Sequence, residues 1–157
     1  LFHNSRAISS ADFNNDGNID LILRNFNQVI LYENSNDQNL SWLKIKLIGN
    51  GKNTFAIGSI IEVTTKERSQ KKIVLAETGF LTQEPYIKHF GLNNMEIESI
   101  KITWPNKKVS IISKPIKSNQ KIMVYYDQKS KDSYEKTIIN NKNKPLSIIA
   151  NFDNVTL

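Results

Sequence analysis

Trp42-Leu43-Lys44-Ile45-Lys46-Leu47-Ile48 is the stretch on which the fold turns. Leu43, Ile45 and Leu47 are separated by Lys44 and Lys46, so apolar and charged side chains alternate with period two. Successive side chains of a strand point to opposite faces, and this pattern buries one face while turning lysines away from it. The same period recurs outward from here. Ser59–Lys66 puts Ile61, Val63 and Thr65 on one face and Ile60, Glu62 and Thr64 on the other. A polar turn at Glu67–Gln70 returns the chain through Lys71–Thr78, which reads as a hairpin. Ser99–Trp104, a turn at Pro105–Lys108, Val109–Ser113 and Ile122–Tyr126 continue the series. Upstream, Ile8–Phe13, Ile19–Leu23 and Val29–Tyr32 are short strand candidates separated by Asn-rich turns. No segment carries a 3.6-residue apolar stripe, so the expectation is an all-β chain whose middle is a small β-sandwich or barrel-like domain.

Composition agrees. The 157 residues include 22 Ile, 20 Asn and 18 Lys. Ile is stiff at Cβ and suits strands, and Asn suits turns because its amide bonds the local backbone and tolerates positive φ. With no Cys, disulfide scaffolds, thiol catalysis and Cys-ligated zinc or iron–sulfur sites are excluded. Two His, His3 and His89, argue against a multi-His metal site. No run approaches the roughly 20 apolar residues of a spanning helix. Charge divides the chain: residues 1–39 carry a net of −3, 40–126 a net of +8 and 127–157 a net of +1, within a total of +6. The expected organisation is a first unit at 1–39, a β-domain at 40–127 and a polar linker or tail at 128–157 with one further strand near Leu146–Phe152. Beginning at Leu1, the chain reads as a fragment or a processed product.

One motif carries chemistry. Asp12-Phe13-Asn14-Asn15-Asp16-Gly17-Asn18-Ile19-Asp20 sets side-chain oxygens at Asp12, Asn14, Asp16 and Asp20, and Gly17 permits the sharp turn. Asn18 would offer its backbone carbonyl. Ca²⁺ takes six to eight oxygens and tolerates irregular geometry, so oxygens on alternate residues can wrap it. An EF-hand needs an acid at the twelfth loop position, which here is Leu23. This loop closes early, at Asp20, between two strands.

The loop and its flanks, Ala7-Ile8-Ser9-Ser10-Ala11-Asp12-Phe13 and Leu21-Ile22-Leu23, resemble the calcium-binding FG-GAP/VCBS repeat of β-propellers. Trp42–Leu47, Ala56-Ile57-Gly58, Gly79-Phe80-Leu81-Thr82-Gln83, His89-Phe90-Gly91-Leu92 and Ile102-Thr103-Trp104-Pro105 resemble the ASPIC/UnbV domain that follows such repeats in cartilage-acidic-protein-like proteins. Two positions depart from that pattern: Asn106-Lys107 replaces a Gly after the Trp-Pro turn, and Phe80 stands where a Tyr is common. The resemblance implies a last β-propeller-type repeat followed by the β-domain. It also implies Ca²⁺ as structural cofactor, upstream repeats of the same parent chain, and a secreted, periplasmic or cell-surface location. The expected role is non-catalytic binding or adhesion, to protein or polysaccharide outside the cell. The alternative is an accessory module of a secreted polysaccharide-acting enzyme.

The remaining candidates read as structural. His89 has no carboxylate partner evident from sequence, Glu84 and Glu96 being guesses, and suits a packed position. Trp42 and Trp104 suit the core. Glu77 and Glu84 are better surface charges than a catalytic pair. The lysine clusters at Lys71-Lys72, Lys107-Lys108 and Lys114, Lys117, Lys121 fit solvated strand edges first, an acidic glycan or anionic surface second. Single-strand nucleic-acid binders interleave aromatics with basic residues, and only Tyr125-Tyr126 near Lys121 does so; no nucleic-acid partner is expected.

Overall fold

A computed structural model describes residues 5–36, 38–79, 82–113 and 115–126. The expected tail strand and linker lie outside the described residues. Ten strands are found and, among the described residues, no helix. They are β1 Ser5–Ala11, β2 Asp20–Asn25, β3 Val29–Tyr32, β4 Trp42–Ile48, β5 Ile60–Thr65, β6 Ser69–Ile73, β7 Ile87–Gly91, β8 Ile97–Thr103, β9 Val109–Ser113 and β10 Gln120–Tyr125. They form three sheets, ordered β1-β2-β3, β10-β4-β7 and β6-β5-β8-β9. All pairings are antiparallel except β4 with β10.

The last two sheets share one core. Leu43, Ile45 and Leu47 of β4 meet Ile61 and Val63 of β5, Phe90 of β7, Ile100 and Ile102 of β8, and Ile122 and Val124 of β10. Each has essentially no solvent exposure, and burying such side chains contributes about 1.5–3 kcal/mol apiece. The domain is therefore sandwich-like. The barrel alternative does not hold, because the sheets end separately with β7 and β6 as edges on one side and β10 and β9 on the other.

Asn shapes the joints. Of the seven described non-Gly residues with positive φ, five are Asn. Two of them clamp the start of β4. Asn94 accepts from Ser41 N at 2.9 Å and its own N–H donates to Ser41 Oγ at 2.8 Å. Asn119 accepts from Trp42 N at 3.0 Å and donates to Trp42 O at 2.7 Å.

Three expectations need correction. The β5–β6 turn is tighter than the sequence suggests: Thr65 N and Oγ1 both donate to Arg68 O, at 2.9 and 3.0 Å, and β6 starts at Ser69. The strand β7 was not foreseen, because Lys88 breaks the alternation by sharing the inner face with Phe90. The residue is 8% exposed, with its ammonium 3.8 Å from Glu84 Oε2. Trp42 is not core. It sits on the outer face of the β10-β4-β7 sheet, whereas Trp104 is buried and donates to Ser110 Oγ at 2.8 Å.

The first sheet is apolar on both sides. Register puts Ile8, Leu23 and Ile30 in one cross-strand row and Ile22 and Leu31 in the next, on the opposite face. Ile8 is 56% and Leu31 55% exposed.

Candidate functional site

The oxygen-rich loop joins β1 to β2 and lies against the second domain. Asn15 (φ 63°) and Gly17 (φ 99°) give it two left-handed turns. At Gly17 the space is closed as well: a methyl there would fall onto Cδ1 of Trp42. Trp42 thus forms a floor that only glycine can approach.

Each of the five candidate ligands has a definite place. Asp12 has a fully buried side chain whose Oδ2 accepts from Gly17 N at 2.9 Å and pairs with Lys44 Nζ at 2.7 Å. Its other oxygen, Oδ1, is buried with no hydrogen-bond partner. Asn14 Oδ1 accepts from Asp16 N at 3.0 Å, and Asn14 Nδ2 donates to Asp16 Oδ2 at 3.0 Å and to Glu33 Oε1 at 2.9 Å. Asp16 Oδ1 accepts from Asn18 N at 2.7 Å. Asn18 Nδ2 donates to Asn36 O at 3.2 Å. Asp20, 2% exposed, accepts from Phe13 N and Asn34 N, both at 2.9 Å.

The loop is therefore cross-braced: Asp12 to Gly17, Asn14 to Asp16, Asp20 back to Phe13. Among the described residues no three His, Cys, Asp or Glu side chains are gathered as a metal cluster. The donor set is nonetheless the hard-oxygen set that Ca²⁺ takes, and a buried carboxylate oxygen without a partner is costly unless something positive satisfies it. The Asn14 amide bridges two carboxylates, Asp16 and Glu33, and does with N–H dipoles what a cation would do with charge.

Sequence reading missed the groups that the fold adds from outside the loop. Glu33 follows β3, and no spacing rule links it to Asn14. Lys44 reads as a solvent-facing lysine of an alternating strand. In the fold its ammonium is buried against the loop, within 3.0 Å of Asn15 Oδ1 as well as of Asp12. The charge split between the two units was the only signal in the sequence that they could attract one another.

His89 neighbours Lys44 across the β4–β7 pair and stacks on Trp42, with ring centroids 6.0 Å apart at 19°. Burial pushes its pKa down to about 4; Asp12 opposes this and the nearby Lys44 and Lys72 add to it. Its Nδ1 is buried and unpartnered. The carboxylate that faces it is Asp12, and neither Glu84 nor Glu96 is its hydrogen-bond partner. His89 is a packed neutral ring.

The sequence profile described as "ASPIC and UnbV" matches residues 49–131, more than half of the chain. The chain belongs to the ASPIC and UnbV family. Within this ASPIC/UnbV protein, β4 lies just before the matched segment yet supplies the central strand of one core sheet. Similarity extends to proteins named cartilage acidic protein 1. Identity is 28% over 103 residues with that of Homo sapiens, covering 62% of this chain and 15% of the relative. With that of Mus musculus it is 26% over 125 residues, 74% of this chain and 19% of the relative. With that of Xenopus tropicalis it is 29% over 104 residues, 62% and 16%. The chain thus spans less than a fifth of the length of the curated relatives it matches.

Proposed function

We propose that this chain is a non-catalytic, calcium-binding module of an extracellular protein, its first sheet being the last blade of a β-propeller and its ASPIC/UnbV domain the platform on which that blade rests. The observation that carries the calcium reading is Asp12: a fully buried carboxylate with one oxygen held by Gly17 N–H and Lys44 and the other facing no partner. Asp12, Asn14, Asp16 and Asp20 would hold the ion with side-chain oxygens, Asn18 with its carbonyl. The ion's part is structural charge compensation, since it would tie the two ends of the loop together. The apolar rows on both faces of the β1-β2-β3 sheet support the blade reading, because a propeller blade is packed by neighbours on each side. Similarity to cartilage acidic protein 1 supports an extracellular location and a binding or adhesion role toward protein or polysaccharide.

The test is calorimetric titration of Ca²⁺ into the chain and into Asp16→Ala. One saturable site in the parent, lost in the variant, is expected. A parent that takes up no Ca²⁺ at millimolar concentration overturns the calcium reading, since extracellular modules bind at about 10⁻⁴–10⁻³ M.

A further inference from the structure

Beside the loop, a cleft of about 450 Å³ opens along the edge strand β7. Its apolar wall includes Ile73, Leu75, Pro85 and Ile87. Ile73 and Leu75 are 48% and 45% exposed, a large share for side chains of that size. Its charged wall includes Lys72 and Lys88. Among the described residues, four lysines line the cleft against two carboxylates, an excess of two positive charges.

Lys88 is the most informative of the four. At 8% exposure it is buried to a degree lysines reach only when paired. Its nearest carboxylate oxygen, on Glu84, is 3.8 Å away, beyond hydrogen-bond reach. Among the described residues its ammonium makes no hydrogen bond. Lys72 points to the same place, its Nζ lying 5.6 Å from the centre of the buried Phe90 ring. Burial is the main cause that lowers the pKa of Lys72, and the charge of Lys88 lowers it further while Glu84 raises it. The two ammonium groups thus repel each other across a space that an anion would stabilise.

We propose that this cleft binds a small amphipathic carboxylate, its head between Lys72 and Lys88 and its apolar body along Ile73, Leu75, Pro85 and Ile87. Glu84 is the internal occupant that a ligand displaces: its carboxylate is 43% exposed, and its backbone is tethered by Glu84 N to Thr78 Oγ1 at 2.9 Å. The site asks for one negative charge and a short hydrocarbon body. The same cleft reaches Asp12 and Asn15 of the oxygen-rich loop, but the carboxylate head is placed at its other wall, on Lys72 and Lys88.

The probe is hexanoate, followed by NMR on the methyl groups of Ile73, Leu75 and Ile87 in the full chain. Saturable shifts are expected by about 10 mM, where a millimolar site is filled. Acetate, which has the charge without the body, and hexan-1-ol, which has the body without the charge, bind at least about tenfold more weakly. Lys72→Met and Lys88→Met each weaken hexanoate about tenfold, the scale of one lost charge-assisted contact, and Glu84→Gln tightens it. The proposal is overturned if hexanoate does not saturate, if hexan-1-ol binds as well, or if Lys72→Met and Glu84→Gln leave its affinity unchanged. Lys72 is exposed, so its variant decides the matter even if Lys88→Met fails to fold.

Discussion

Replacing Lys44 with Met removes, among the described residues, the one positive charge paired with the Asp12 carboxylate, which has no solvent exposure. The side chains of the pair are 8% and 0% exposed at 2.7 Å. Without the ammonium, Asp12 keeps one described donor, Gly17 N–H at 2.9 Å, and one oxygen that already has none. Breaking a buried pair from one side costs about 3–5 kcal/mol because the remaining charge is uncompensated. The reverse change, Asp12→Asn, is milder: Lys44 retains Asn15 Oδ1 at 3.0 Å and Asp12 O at 3.5 Å, so about 1–3 kcal/mol is expected. The double variant leaves no stranded charge, and its cost falls below the sum of the two by about 2 kcal/mol. Urea unfolding in calcium-free buffer measures all three. Hydrogen exchange at the Gly17 amide reports whether the loop has left the sheet. A Lys44→Met variant within about 0.5 kcal/mol of the parent, or strict additivity in the cycle, refutes the view that this pair holds the two units together.

Further outcomes follow from the same geometry. Calcium at millimolar levels restores part of what Lys44→Met loses, measured as a rise in unfolding midpoint absent in Asp16→Ala. Gly17→Ala is destabilising by about 2–4 kcal/mol, since it combines positive-φ strain with a clash on Trp42; trimming Trp42 to Ala in the same chain recovers the steric part only. His89 is held neutral, its pKa depressed from 6.5 to about 4, so the unfolded chain binds the extra proton between those values. Its contribution is complete above pH 6.5 and is lost as pH falls toward 4. His89 is only partly buried, so the loss is at most about 2 kcal/mol after solvent screening; His89→Phe flattens the stability profile between pH 6.5 and 5. Lys107 has φ 65° in the turn after Trp104-Pro105, and Lys107→Gly raises stability by about 0.5–1 kcal/mol in thermal melts, the relief of left-handed strain exceeding the entropy glycine loses.

The strands were legible where apolar residues dominate a short run bounded by turn residues. Trp42–Ile48 stands where period-two alternation puts it, Val29–Tyr32 and Val109–Ser113 stand at the spans read from the sequence, and Ile61, Val63 and Thr65 are the buried face of β5. Legibility failed where a lysine is buried. Alternation treats charge as a sign of solvent, so Lys88 concealed β7 and Lys44 concealed the contact between units. The five loop residues were readable as a set because their spacing is local. Lys44, Glu33 and Trp42 were not, because they reach the loop only through tertiary pairing.

The single parallel pairing has a consequence for the order in which this protein can assemble. β4 is the middle strand of its sheet, yet one of its neighbours, β10, begins only at Gln120. A ribosome adding about 5–20 residues per second needs on the order of ten seconds to travel from Ile48 to Tyr125. Throughout that interval β4 has one unsatisfied edge, and Leu43, Ile45 and Leu47 wait for Ile122 and Val124. Chains interrupted before Gln120 therefore carry an open, adhesive seam, and completion of the core is a late event set by β10.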